Sequence, residues 1–125
     1  MILNEFNPAI YPYKLWVMVS NASVEIPKLF FGYDGKEIEN IAGDTERLEA
    51  FTMPVMDKSK NNYGVLVFFR NKKVMSCTTI AHEASHAAKF LFEHIGADIK
   101  DHEPFEYVVG WIAGCCDYCK RNRTK

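Results

Sequence analysis

The sequence predicts one α+β domain: a short mixed or mostly antiparallel sheet packed against two helices in its C-terminal half. Three observations carry this. Residues 64–69 (GVLVFF) are apolar throughout, as a central strand covered on both faces requires. Ile80, Ala84, Ala87, Leu91 and Ile95 recur at helical spacing and form a stripe for the sheet. Val108, Val109, Ile112 and Cys116 form a second stripe, on a helix expected over 103–119. At 125 residues, with 48% hydrophobic and 25% charged residues, the chain suffices for one core and is too short for two, so 1–125 is a single domain.

In chain order, residues 11–19 (YPYKLWVMV) are aromatic and β-branched and predict a strand ending at the Ser20-Asn21 turn. Residues 24–31 contain Pro27, which confines any strand there to an edge or breaks it. Asp34-Gly35 signals a hairpin turn. Residues 44–51 are expected to form a short helix capped by Asp44, and 53–63, with Pro54 and several turn formers, a loop. After the strand at 64–69, a helix runs over about 78–95. Thr78 or Thr79 is its expected cap and Gly96 its stop. Gly110 and Gly114 are expected to let the C-terminal helix approach it closely.

Charge narrows the partners. With 15 basic and 16 acidic residues the net charge is −1, which argues against nucleic acid and anionic membrane surfaces. The basic residues of the tail at 120–125 are expected to be solvated. No stretch approaches the roughly 18 apolar residues of a membrane span. The N-terminus lacks the basic and apolar regions of a signal peptide, so the expectation is a cytoplasmic protein whose four cysteines are reduced. Cys115, Cys116 and Cys119 include a C-x-x-C, but no second pair follows to complete a structural zinc site. The expectation there is small buried side chains.

The chemistry-bearing motif is His82-Glu83-Ala84-Ser85-His86, an H-E-x-x-H inside the predicted helix. Residues four apart share a face, so His82 and His86 can direct two imidazoles at one cation, with Glu83 beside them. Catalytic zinc takes three protein ligands and keeps a position for water. The downstream candidates are His94, His102, Glu103 and Glu106. His94 lies about 12 Å along the same helix from His86 and cannot reach the same ion. Lys89 and Phe92 exclude the longer H-E-x-x-H-x-x-G-x-x-H pattern. Glu103 opens the second helix, and a turn beginning at Gly96 would fold it back toward the histidines; Glu106 lies one turn on.

His82-Glu83-Ala84-Ser85-His86 followed by Glu103-Pro104-Phe105-Glu106-Tyr107-Val108-Val109-Gly110-Trp111 resembles the small zincin-like metallopeptidases found in phage and prophage genomes. In these, H-E-A-x-H precedes E-x-x-x-Y-x-x-G and an aromatic residue. More broadly it is similar to gluzincins, in which two His and a downstream helical Glu hold zinc. The resemblance covers about a quarter of the chain and is silent on residues 1–75. It implies a zincin-like fold, zinc held by His82, His86 and Glu103 with Glu106 in reserve, and a peptide or protein substrate. Glu83 would be the general base, taking a proton from a zinc-bound water as that water attacks a carbonyl. Tyr107 or His102 is the expected oxyanion donor. The alternative expectation is a catalytically weak zincin-fold module that binds metal and a partner protein. A third is a structural interaction domain whose histidines carry no metal.

Overall fold

The computed structural model describes residues 1–100 and 102–122. Elements follow in the order β1 (Ile2–Phe6), β2 (Lys14–Val19), a 3₁₀ turn (Ser23–Glu25), α1 (Ile26–Leu29), β3 (Phe30–Gly32), α2 (Ile41–Thr45), β4 (Ala50–Asp57), β5 (Tyr63–Phe69), a second 3₁₀ turn (Lys72–Val74), α3 (Cys77–Ile95) and α4 (His102–Arg121). The five strands form one mixed sheet, ordered β1-β2-β5-β4-β3. β5 runs parallel to β2, and the other neighbours are antiparallel. The α+β class expected from the sequence is what the chain forms.

β5 is the centre because its sequence can be nothing else. Val65 to Phe69 have no exposed surface. Each buried side chain of this kind contributes about 1.5–3 kcal/mol. Alternation divides them between two cores. Val65, Val67 and Phe69 join Leu15, Val17 and the inner faces of α3 and α4. Leu66 and Phe68 join Trp16, Met18, Ile26, Phe30 and Ile41 on the opposite face. Gly64 is required where β5 meets β2: a Cβ there would lie 2.4 Å from the carbonyl oxygen of Lys14. Both long helices therefore cover one face of the sheet, α3 over β4 and β5, α4 over β2 and β1.

The expected helices form, with refined ends. Ser76, rather than Thr78 or Thr79, caps α3, its hydroxyl accepting from the Thr79 amide at 3.1 Å. Gly96 closes the helix in the left-handed conformation, φ 73°. Gly110 and Gly114 are exposed on α4 and contact nothing, so they do not serve the helix packing expected of them. Ala84, Ala87 and Ala88 are the small side chains of α3 that are fully buried, in the core shared by the sheet and both helices.

Other local expectations are corrected. Residues 44–51 do not form one helix: α2 ends at Thr45, and Ala50 and Phe51 already belong to β4. The expected loop at 53–63 is strand as far as Asp57. Pro54 suggested a break, but its position tolerates the missing N–H, as shown below. Around Pro27 the chain forms α1, with the proline in its first turn, where no amide is needed. The Asp34-Gly35 turn is present, Gly35 having φ 80°, though it joins only a single bridge from Phe31 to Glu37. β1 was not anticipated. Of the basic tail, residues 123–125 lie outside the described residues, as does Asp101 of the turn between α3 and α4. No described helix is long and apolar enough to cross a membrane.

Candidate metal centre

The motif helix sorts its residues by face. Ile80, Ala84, Ala87 and Leu91 are buried against the sheet, as their spacing predicts. His82, His86, Lys89 and Glu93 recur at four, three and four residues and are all exposed, so they share the solvent face. Glu83 departs from the expectation that it leaves the packing face with the histidines. It is only 6% exposed, on the flank of α3 that meets β4.

The two imidazoles converge. Their Nε2 atoms stand 3.2 Å apart, with ring centroids at 4.7 Å and planes nearly perpendicular. Two nitrogens bound to one tetrahedral zinc at 2.0–2.1 Å would be separated by about 3.3 Å. The spacing of the pair matches two corners of such a site and is also that of a hydrogen bond between the rings.

Glu83 is held from below. Thr52, on β4, donates its hydroxyl to Oε1 of Glu83 at 2.6 Å and contacts the Glu83 carbonyl oxygen at 3.3 Å. Thr52 was not singled out by sequence reasoning. The signal was available: Phe51, Met53 and Val55 alternate with Ala50, Thr52 and Pro54, the period of a strand.

β4 brings more than a hydroxyl. The Arg70 amide donates to the Glu49 carbonyl at 2.8 Å, and the β4–β5 register continues from Ala50↔Phe69 to Met56↔Tyr63. Hydrogen-bonded and non-bonded pairs alternate in an antiparallel ladder. Phe51, Met53 and Val55 therefore turn their backbone groups toward β5, while Ala50, Thr52, Pro54 and Met56 turn theirs outward. β3 pairs with Met56 and stops at the Gly32↔Val55 step. The next outward residue is Pro54, which has no N–H to offer. Beyond it no described strand pairs with residues 50–54, leaving an open edge beside the turn of α3 that carries Glu83.

The third expected ligand is elsewhere. Phe105 packs edge-to-face on Phe92, with ring centroids at 5.3 Å, so the first turn of α4 lies against the C-terminal part of α3. From His86 to Phe92, α3 advances about 9 Å. Glu103 and Glu106 are exposed on that first turn, and neither completes a three-ligand group with the histidines among the described residues. Phe92 is 1% exposed in this contact, whereas His82 and His86 face solvent. No third His, Cys, Asp or Glu joins the pair among the described residues. His102 is exposed at the start of α4. Tyr107 is 75% exposed and lines an apolar groove with Ile10 and Trp111. Neither is placed beside the histidines as an oxyanion donor.

No known family model, curated protein or solved structure matches the chain. The resemblance to zincin-like metallopeptidases therefore rests on the residues of the two motifs alone.

The cysteines are free thiols, Cys77 exposed and the other three buried. Burial, then the neighbouring Cys119, pushes the Cys115 thiol up to about 12; burial likewise raises Cys116 and Cys119. Asn4 of β1 donates to the Cys119 sulfur at 3.2 Å, tying the first strand to the last helix. These side chains fill the core, as small apolar residues do.

Proposed function

We propose that this chain is a zinc-dependent peptidase of the zincin type, acting on an extended peptide laid along residues 50–54 of β4. The observation that carries the reading is the 3.2 Å approach of the His82 and His86 Nε2 atoms, on the helix whose Glu83 carboxylate is anchored to an open strand edge. Zinc, when bound there, would polarise a carbonyl and lower the pKa of water.

The protein's own groups supply the rest. His82 and His86 hold the cation. Glu83, fixed by Thr52, is the general base: it accepts a proton from the attacking water and returns it to the departing amine. The outward amides and carbonyls of Ala50 and Thr52 pair with substrate backbone, which binds an extended chain without regard to its sequence. Holding the peptide beside Glu83 makes the attack effectively intramolecular.

The packing of Phe105 on Phe92 favours a second reading, a metal-binding zincin-fold module with little turnover. It keeps Glu103 away from the cation and leaves the site with two protein ligands. Metal content and hydrolysis of a mixed peptide library, measured for the parent protein and Glu83→Gln, separate the two. The peptidase predicts about one zinc per chain in both proteins and cleavage only in the parent. Zinc in both with cleavage in neither establishes the module. No zinc in either, with both folded, overturns both readings.

A further inference from the structure

Tyr13 ends β2's approach to the sheet and is only 2% exposed, yet its hydroxyl has no hydrogen-bond partner. Leaving a buried hydroxyl unpaired costs about 1–3 kcal/mol. The Tyr13 side chain also lines a pocket of about 220 Å³, with Tyr33, Pro54, Phe90, Glu93 and His94, although its oxygen is itself buried. The pocket volume is below the roughly 300–1,000 Å³ of sites for whole small molecules and suits one side chain.

The walls are aromatic and electron-rich. The Tyr13 ring stands 4.7 Å from that of His94, and Tyr33 stands 5.0 Å from Tyr63, which itself approaches His94 at 5.5 Å. Tyr33 and His94 are joined through the phenol and Nδ1. Glu93 supplies the carboxylate of the lining, and the lining contains no lysine or arginine. Burial, and then the neighbouring Tyr33 and Glu93, hold the Tyr13 phenol above its ordinary range, so it stays neutral. Ring faces and a carboxylate together attract a cation.

The pocket lies where a bound peptide would pass. Pro54, in its wall, ends the open edge of β4, and Phe90 is one helical turn beyond His86. We propose that this pocket binds a primary alkylammonium group, that of a lysine side chain in the peptide. The assignment to a peptide rests on the function proposed above; binding of the ammonium group does not.

The test is a titration of metal-free protein followed by amide chemical shifts. The probes are Nα-acetyl-lysine N-methylamide, its neutral norleucine counterpart, and norleucine N-methylamide with a free α-amine. Saturable binding of the acetylated lysine, with shifts at Tyr13, Tyr33 and His94, is expected. The neutral norleucine should not bind, and Glu93→Gln should weaken the lysine probe about tenfold or more. Equal binding of the free-amine norleucine would overturn the side-chain assignment in favour of a peptide N-terminus. The pocket assignment itself is overturned by any of three results: neutral norleucine binding as well as lysine, indifference to Glu93→Gln, or no saturation by any probe at about 50 mM. Since the titration involves neither zinc nor cleavage, its failure leaves the peptidase to its own test.

Discussion

Thr52 and Glu83 join β4 to the motif helix through a 2.6 Å hydrogen bond between a hydroxyl and a largely buried carboxylate. The bond fixes the height of the helix above the strand edge and the direction of the carboxylate. It is thus both structural and functional. Thr52→Val keeps the shape and removes the donor, and should lower unfolding free energy by about 2 kcal/mol. Urea denaturation measures that loss. Rescue by Thr52→Ser, and a fall in kcat larger than any change in KM, would separate a positioning role from packing alone.

Zinc affinity tests the division of ligands. His86→Ala should weaken zinc roughly tenfold or more, whereas Glu103→Ala and Glu106→Ala should change it by no more than about twofold. Isothermal titration of the variants reads this directly. A large loss in Glu103→Ala would mean that the first turn of α4 leaves Phe92 when metal binds.

Tyr13→Phe removes a hydroxyl that has no partner and retains the ring. It should stabilise the protein by about 1 kcal/mol, which thermal melts read as a rise in Tm of about 3–5 °C.

Thiol chemistry reports the packing of α4. Cys77 should react rapidly with a thiol reagent at pH 8, while Cys115, Cys116 and Cys119 react only on unfolding. Alkaline stability follows from the same burial. The folded Cys115 thiol titrates near 12 against an ordinary 9.0, so the unfolded chain loses its proton first as pH rises. The contribution of this thiol to stability is fully present below about pH 9 and is lost progressively toward pH 12. Thermal melts between those limits should fall with pH, and less steeply in Cys115→Ala.

The readable parts of this fold were those whose pattern is local. β5 announces itself through unbroken apolar character, and α3 through its stripe and its closing glycine. β1 was hidden because Ile2–Phe6 includes Asn4 and Glu5. Its strand character comes from pairing with β2. β4 was hidden by Pro54, whose meaning depends on which side of the ladder it faces. The site divides in the same way. Four-residue spacing suffices to bring two imidazoles together, but nothing in helical periodicity says which flank a neighbouring helix will take. Here the buried Phe92 lies on that flank, and in the sequence it served only to exclude a longer zinc motif. Tyr13, Tyr33 and His94 lie far apart in the chain and meet only through the sheet.

The parallel pairing of β2 with β5 has a consequence for how the molecule is made. β1 and β2 leave the ribosome as a hairpin whose inner edge has no partner until residues 63–69 follow. Pairings between distant segments slow folding, and a waiting apolar edge can be captured by a neighbouring nascent chain. Slower synthesis at low temperature should therefore raise the soluble yield. The edge that is hazardous during synthesis is the one the finished protein encloses at its centre.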